Sequence, residues 1–492
     1  MPRTPLDLAP RLHELILLEE PMADKPTHLS PKPTRRAFLQ ATALGAGGAL
    51  ASTLVSGEGV TPQLGRGGAK PPNFLFLISD QLGLDALSAY GCPDVHTPNL
   101  DRLVKRGVSF MLSHGTNPVC SPARSSLFTG RMDVETGVIT NSRPIHESVP
   151  NMGQWLGQAG YEPVYCGKWH LPGGQPTGNE GFTVLPVGGQ GDIGDPLISR
   201  TCEAYLKSRA HDKPFLLVAS FLQPHDICYW AIRGKQLVPE QLPFPQLADQ
   251  LPQLPPNHAI LPPAPAKLAA ATYRGFSDEQ WRYYIWIYYR QVEMLDADVG
   301  RLLDALDESG EADNTIIVFT SDHGEGRGRH LHVQKWYPYD EGALVPMIIA
   351  CPGRLLANLR DAQHLVSGLD VMSTMCDYAG IQPPADVRGR SLRPLLEGKQ
   401  TEWREFVVVD TQIIGRTART ADYKYIRYQD DPVDMLFDMK RDPWETKNLY
   451  QEAKYADTIK EHRKLLDQWE AHLKPVEPTP DYEALANQRR RR

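Results

Sequence analysis

Residues 73–80, NFLFLISD, form an unbroken apolar run that ends on a carboxylate. A strand can be apolar on both faces only when both faces are covered, so this run requires a sheet with helices on either side. KPFLLVASF (213–221), NTIIVFTSD (314–322) and VPMIIA (345–350) repeat the pattern. Helical segments alternate with them. TPNLDRLVKRG places Thr97 as N-cap, Pro98 at the first helical position and Gly107 at the stop. Further helices are predicted near 151–159, 197–209 and 277–308. The expected class is α/β, a large mixed, mostly parallel sheet sandwiched by helices. Beyond about residue 400, REFVVVD, YKYIRYQ and DMLFDM alternate like half-exposed strands before a polar helix at 453–473.

With 492 residues, of which 41% are hydrophobic, the chain can bury a core larger than one small domain. The formal charge of −7 is too mild to indicate a nucleic-acid partner, and Arg489–Arg492 reads as a frayed, solvated end. Near the other end, PTRRAFLQATALGAGGALAST pairs Arg35 and Arg36 with a Gly-rich, uncharged stretch of modest hydrophobicity. It resembles a bacterial twin-arginine signal rather than a stable membrane anchor. The expected organisation is a signal region over 1–53, a main domain over 70–398, a further segment of strands and a helix over 399–475 and a tail over 476–492. Either Met1 or Met22 can serve as the start.

In a parallel α/β sheet, ligands bind beyond the carboxyl ends of the strands. Asp80–Gln81, His225 and Asp322–His323 all stand there. Each pair alone reads as a turn or a helix cap. Together they are what a single cation site assembled by the sheet requires. The seven cysteines lack the spacing of a disulfide framework or a zinc knuckle, and Cys351 and Cys376 read as small core residues. Cys120, in NPVCSPARSSLFTGR, stands at a helix start and is open to several readings: buried thiol, half of a disulfide, metal ligand or nucleophile. A tyrosine-phosphatase-type nucleophile needs an arginine six residues later, where this chain has Ser126.

CSPAR fits the Cys-x-Pro-x-Arg signature of the sulfatase family. LISDQLGLDAL, TPNLDRLVKRGVSF, YCGKWHL, FTSDHGE, QKWYPYDEGALVPMIIACPG and MLFDMKRDPWETKNLY resemble further family landmarks in the expected order, over about residues 72–450. The resemblance implies the alkaline-phosphatase-like fold with a small carboxyl-terminal α+β subdomain, an antiparallel sheet with one helix over 399–475, and makes Cys120 the precursor of formylglycine. It implies cation ligands at Asp80, Gln81, Asp322 and His323, joined by an oxygen of the modified residue 120. The family commonly has aspartate where this chain has Gln81, a departure shared with some sulfatases and with related phosphonate or phosphodiester hydrolases. Arg124 matches the arginine that fixes the formylglycine diol. Lys168 and Lys335 match the two lysines of the sulfate pocket, and His170 matches the base that acts on the diol. His225, in FLQPHD, is the candidate acid for the leaving alkoxide.

The resemblance implies one divalent cation, with calcium the family's usual ion and magnesium or manganese credible alternatives. It implies a sulfuric-ester hydrolase, periplasmic or secreted, acting on a sulfated small molecule or glycan. Its other partners would be a formylglycine-generating or related maturing enzyme and the twin-arginine export machinery. Alternatives are a phosphonate monoester or phosphodiester hydrolase of the same superfamily, a non-catalytic carbohydrate-binding relative and a structural secreted protein. The Pro-rich stretch 238–267 is too long for a routine connection and is expected either as a surface insert or as a wall of the cleft. The aromatic helix that follows is expected to pack as core.

Overall fold

A computed structural model describes residues 70–172, 181–187, 191–233, 238–260, 275–411, 415–429 and 433–490. The signal-like segment at 1–53 lies outside the described residues. The eight residues of β1 (Asn73–Asp80) are all buried. Leu75 and Leu77 enter one apolar cluster and Phe74, Phe76 and Ile78 enter another, so the strand feeds a core on each face of its sheet. Burying each of these side chains contributes roughly 1.5–3 kcal/mol, which is why the run carries no polar residue between Asn73 and Ser79.

The remaining strands of this sheet are β2 (Gly107–Phe110), β3 (Glu162–Gly167), β4 (Thr183–Leu185), β5 (Phe215–Pro224), β6 (Thr315–Ser321), β7 (Met347–Ala350) and β8 (Leu359–Asp361). They lie in the order β4-β3-β5-β1-β6-β7-β2-β8. β1 pairs in parallel with both β5 and β6, Leu77 lying opposite Ala219 on one side and Phe319 on the other. Only β7 runs against its neighbours, pairing antiparallel with β6 and β2. The sheet is therefore mixed and mostly parallel, as the apolar runs implied. β3 was not legible: its sequence, EPVYCG, opens with Glu162 and Pro163, and it is recruited by pairing with β5.

On the sheet face that takes Leu75 and Leu77 lie α1 (Pro98–Arg106), α4 (Gly191–Ser208) and α5 (Asp278–Glu308). The opposite face packs α2 (Cys120–Thr129), α3 (Met152–Gln158) and α6 (Asp370–Ala379). α4 begins six residues before its expected start, with Pro196 inside it. α5 opens on a capping box in which Ser277 and Gln280 satisfy each other's backbone amides. Trp281, Tyr284 and Tyr288 on α5 are fully buried, in keeping with their expected core role.

The carboxyl-terminal sheet is antiparallel, in the order β9 (Phe406–Thr411), β10 (Gly415–Thr420), β11 (Tyr423–Tyr428) and β12 (Met435–Asp438). α7 (Ala456–His472) covers it through Ile459 and Leu466. β10, GRTART, carries no apolar alternation and is held by pairing on both sides. Residues 476–482 were expected as part of a tail, yet their backbone pairs with the segment 134–142. Val476 N donates to Val134 O, Thr479 N to Gly137 O and Tyr482 N to Ser142 O, each at 3.0 Å. α8 (Tyr482–Arg490) then includes the first two of the closing arginines.

Candidate active site

The carboxyl ends of β1, β3, β5 and β6 converge on the first turn of α2, where Cys120 is the first helical residue. Every residue of α2 is buried. Its amino-terminal backbone N–H groups favour negative charge there. The chain leaves β1 through Gln81 at φ 72° and enters the site again through His170 at φ 60°, Gln334 at φ 65° and Trp336 at φ 98°. Left-handed backbone at four non-glycine positions costs of order 1 kcal/mol or more each and persists where the surrounding packing dictates it.

Cys120 Sγ lies 3.2 Å from His323 Nε2 and 3.7 Å from Asp80 Oδ1. Lys335 Nζ approaches the sulfur to 2.9 Å and Lys168 Nζ to 3.9 Å. Burial and the charge of Asp80 push the thiol up. Lys168, Lys335 and His323 outweigh them, holding it well below the ordinary cysteine range. Arg124, one helical turn after Cys120, is fully buried and spans the two strand-end carboxylates. Its Nη2 donates to Asp80 Oδ2 at 3.0 Å and its Nε to Asp322 Oδ2 at 2.9 Å. Its Nη1 donates to Lys168 O and to Ser220 Oγ, and the Ser220 hydroxyl in turn donates to Lys168 O.

The remaining candidates border the same space. Lys168 Nζ pairs with Asp80 Oδ2 at 2.8 Å, and His225 Nε2 lies 3.9 Å from Asp80 Oδ1. His170 is held beside α2 through its carbonyl, which accepts from Ser121 Oγ at 2.5 Å. The side-chain Oε1 of Gln81 accepts from Lys335 Nζ at 3.1 Å. Burial raises the Asp80 carboxyl, but Lys168, His225, Arg124 and Lys335 together hold it well below the carboxylate range. Burial, and then repulsion from Asp80, hold Asp322 up at about 6.

That repulsion is what a dication between the carboxylates relieves. Asp80, Cys120, Asp322 and His323 each offer a donor atom, and the four lie within 4.8 Å of one another, all buried. Hard oxygen donors with one imidazole suit calcium, magnesium or manganese, so the residues fit a divalent cation. The arrangement can bind a tetrahedral anion with its lysines, activate a group at position 120 and transfer protons through histidines.

Other contributors had no distinct sequence signal. Ser220 sits inside an apolar run and Tyr288 inside an aromatic helix, where core packing is the natural reading. The Tyr288 hydroxyl donates to Gln81 O at 2.8 Å and accepts from Gly83 N at 3.1 Å. Glu325 was in view as the last residue of FTSDHGE, without a role. The described part of the Pro-rich stretch packs on the loop that follows β6: His258 Nδ1 lies 2.7 Å from Gly328 O, and His330 N donates to Asn257 O. Residues 261–274 lie outside the described residues. Each of the seven cysteines is a free thiol.

Comparison with known proteins agrees with this geometry. The sulfatase family model matches residues 72–381, and that of the N-sulphoglucosamine sulphohydrolase carboxyl-terminal region matches 328–472. The chain is 33% identical over 440 residues to a Delta 4,5-hexuronate-2-O-sulfatase of Bacteroides thetaiotaomicron, covering 81% of this chain and 88% of the relative. A 2-O GAG sulfatase structure aligns with a TM-score of 0.73 at 29% identity, over 84% of this chain and 98% of the other. The phosphonate monoester hydrolase of Agrobacterium radiobacter shares the fold, with a TM-score of 0.68 at 23% identity over 82% of this chain and 96% of its own. With its buried Cys120–Arg124 turn set against two strand-end carboxylates, this chain belongs to the sulfatase family, the formylglycine-dependent branch of the alkaline phosphatase superfamily.

Proposed function

We propose that the protein is an exported hydrolase that cleaves a sulfate ester of a small molecule or glycan through a formylglycine formed from Cys120. The observation that carries this reading is the placement of Cys120 Sγ beside Lys335 at 2.9 Å, His323 at 3.2 Å and Asp80 at 3.7 Å in a buried pocket. The sulfur stands in for the aldehyde hydrate of the mature residue. A divalent cation would be held by Asp80, Gln81, Asp322 and His323, with calcium favoured and magnesium or manganese as alternatives, and would supply positive charge that attracts and polarises the sulfate group.

Lys168 and Lys335 bind the sulfate oxygens, and Arg124 orients the diol through charge-assisted hydrogen bonds. One diol oxygen attacks sulfur while the ester C–O–S bond breaks on the sulfur side, and His225 gives its proton to the departing alkoxide. His170 removes the proton of the remaining hydroxyl. Its electrons then close the carbonyl, the bond from carbon to the sulfated oxygen breaks, and sulfate leaves with the aldehyde restored. A thiol offers no second hydroxyl for that last step, so modification of Cys120 is required.

Export through the twin-arginine route to the periplasm or beyond is supported by the Arg35–Arg36 segment. Among the described residues no helix is long and apolar enough to cross a membrane. Maturation would fall to a formylglycine-generating or related enzyme. A carbohydrate substrate is supported by the names of the relatives. Gln81 favours a second reading, a phosphonate monoester or phosphodiester hydrolase built on the same constellation.

Protein made with the maturation machinery should carry an aldehyde at position 120 by peptide mass spectrometry and hydrazide labelling, and Cys120→Ala should abolish turnover with little change in thermal unfolding. Full activity with an intact thiol would overturn the mechanism. Sulfate, phosphodiester and phosphonate esters sharing one leaving group separate the two readings, the sulfate ester being expected to turn over fastest.

A further inference from the structure

Glu325 ends the FTSDHGE segment, and no step above uses it. It is fully buried. Its Oε2 accepts from Gln81 Nε2, and its Oε1 accepts from Tyr284 OH at 2.8 Å and from Gln334 N at 2.6 Å. The other end of the Gln81 amide, Oε1, accepts from Lys335 Nζ at 3.1 Å and from Cys228 Sγ at 3.3 Å. The amide thus lies between a carboxylate, which only accepts, and an ammonium, which only donates. One orientation satisfies both neighbours; the flipped one sets N–H against N–H and oxygen against oxygen.

That constraint matters because of what stands at position 81. An aspartate presents an acceptor whichever way it turns. Glutamine has an acceptor at one end and a donor at the other, and a donor pointed at a cation repels it. We infer that Glu325 is the positioning residue of the cation site, holding the Gln81 amide with its oxygen toward the ligand cluster and, through Gln334 N, fixing the backbone next to Lys335. The inference rests on the reading of this cluster as a divalent-cation site. Glu325 does not touch the reacting atoms. Its carboxylate acts on Gln81, from the end of β1, and on Gln334, the residue before Lys335 in the loop after β6, and Tyr284 of α5 braces it from behind.

The test is Glu325→Gln, which keeps the shape and reverses the hydrogen-bond polarity. With Oε1 of the new glutamine still serving Tyr284 and Gln334, its amide nitrogen faces Gln81, so the Gln81 amide must flip and turn its own nitrogen toward the cation. Calcium, magnesium and manganese titrations of the metal-stripped protein by calorimetry should show the Kd of whichever ion wild type binds raised about 10- to 100-fold. The double variant Glu325→Gln with Gln81→Glu moves the negative charge by one side chain and restores an acceptor on both sides of position 81, so it should recover most of the lost affinity. Thermal unfolding of the metal-free proteins separates loss of fold from loss of orientation, and if the single variant does not fold, the isoelectric double variant carries the test. Unaltered metal affinity in Glu325→Gln, or a double variant that binds no better than the single or, where the single does not fold, markedly more weakly than wild type, would overturn the proposal while leaving the site reading intact. A wild-type protein that binds none of the three ions would overturn both.

Discussion

Asp195 shows how one buried carboxylate can support the site from outside it. It sits near the start of α4, fully buried, and accepts from Leu222 N and Gln223 N at 2.8 Å each, at the turn that presents His225. Burial pushes it up to about 7; the two backbone donors oppose that shift, while Asp298 and Asp226 add to it. The folded protein therefore holds a proton here that the unfolded chain releases near pH 4. Between about pH 4 and 7 the native state binds more protons than the unfolded state, so stability from this group falls as pH rises, by on the order of 4 kcal/mol across the window. Asp195→Asn should show a shallower decline in unfolding midpoint over that range than the wild type, measured by chemical denaturation at a series of pH values. Parallel profiles would show that Asp195 titrates as an ordinary carboxylate.

Among the elements, β3 depends most on its surroundings. It ends at Gly167, with φ 106°, where an added Cβ would lie 2.0 Å from Ser220 O. Only glycine tolerates both that conformation and that approach. The next residue, Lys168, donates its backbone N–H to the same Ser220 O at 2.9 Å. Gly167→Ala should part β3 from β5 at the site end and displace Lys168 and His170 together. The expected result is a fall in kcat/KM of two orders of magnitude or more, as a misplacement of about 1 Å in a catalytic array produces, with a smaller loss of stability. Steady-state kinetics beside a thermal melt would check it, and full activity would show that the strand end can relax. Because α2 carries Cys120 and Arg124 on one helical face, that pair was legible from its spacing of four. The strand that brings Lys168 to them was not, since EPVYCG has no strand periodicity of its own and is ordered by β5.

At the scale of the whole molecule, the carboxyl-terminal sheet reaches the loop that bears Lys335. Lys424 of β11 is buried between Asp340 Oδ1 at 2.5 Å and Glu445 Oε1 at 2.8 Å, and Glu445 also accepts from Asp340 N. Tyr337 and Tyr339 of the loop pack with Ile426, Tyr428 and Phe437 of the sheet. Lys424→Met would leave the buried Glu445 and the partly exposed Asp340 without their cation, at a cost of about 3 kcal/mol. It should lower activity through Lys335 as well. Urea unfolding and kcat measured on the same variant would test the coupling, and a stable variant with unchanged kcat would show that the subdomain is a passenger.

Local chemistry was enough to place much of this protein in advance. Strands with continuous apolar centres demanded a covered sheet, and the parallel order then put Asp80, His225 and Asp322 at one edge, because side chains at the carboxyl ends of neighbouring parallel strands point into the same crevice. The CSPAR turn and its ordered companions indicated the family. What the linear chain could not express was pairing between distant segments. The orientation of the Gln81 amide depends on Glu325 and Lys335, more than 240 residues away, and the path of residues 476–482 depends on backbone partners at 134–142. Hydrogen-bond polarity and strand recruitment are properties of neighbours in space, and those neighbours exist only once the chain has folded.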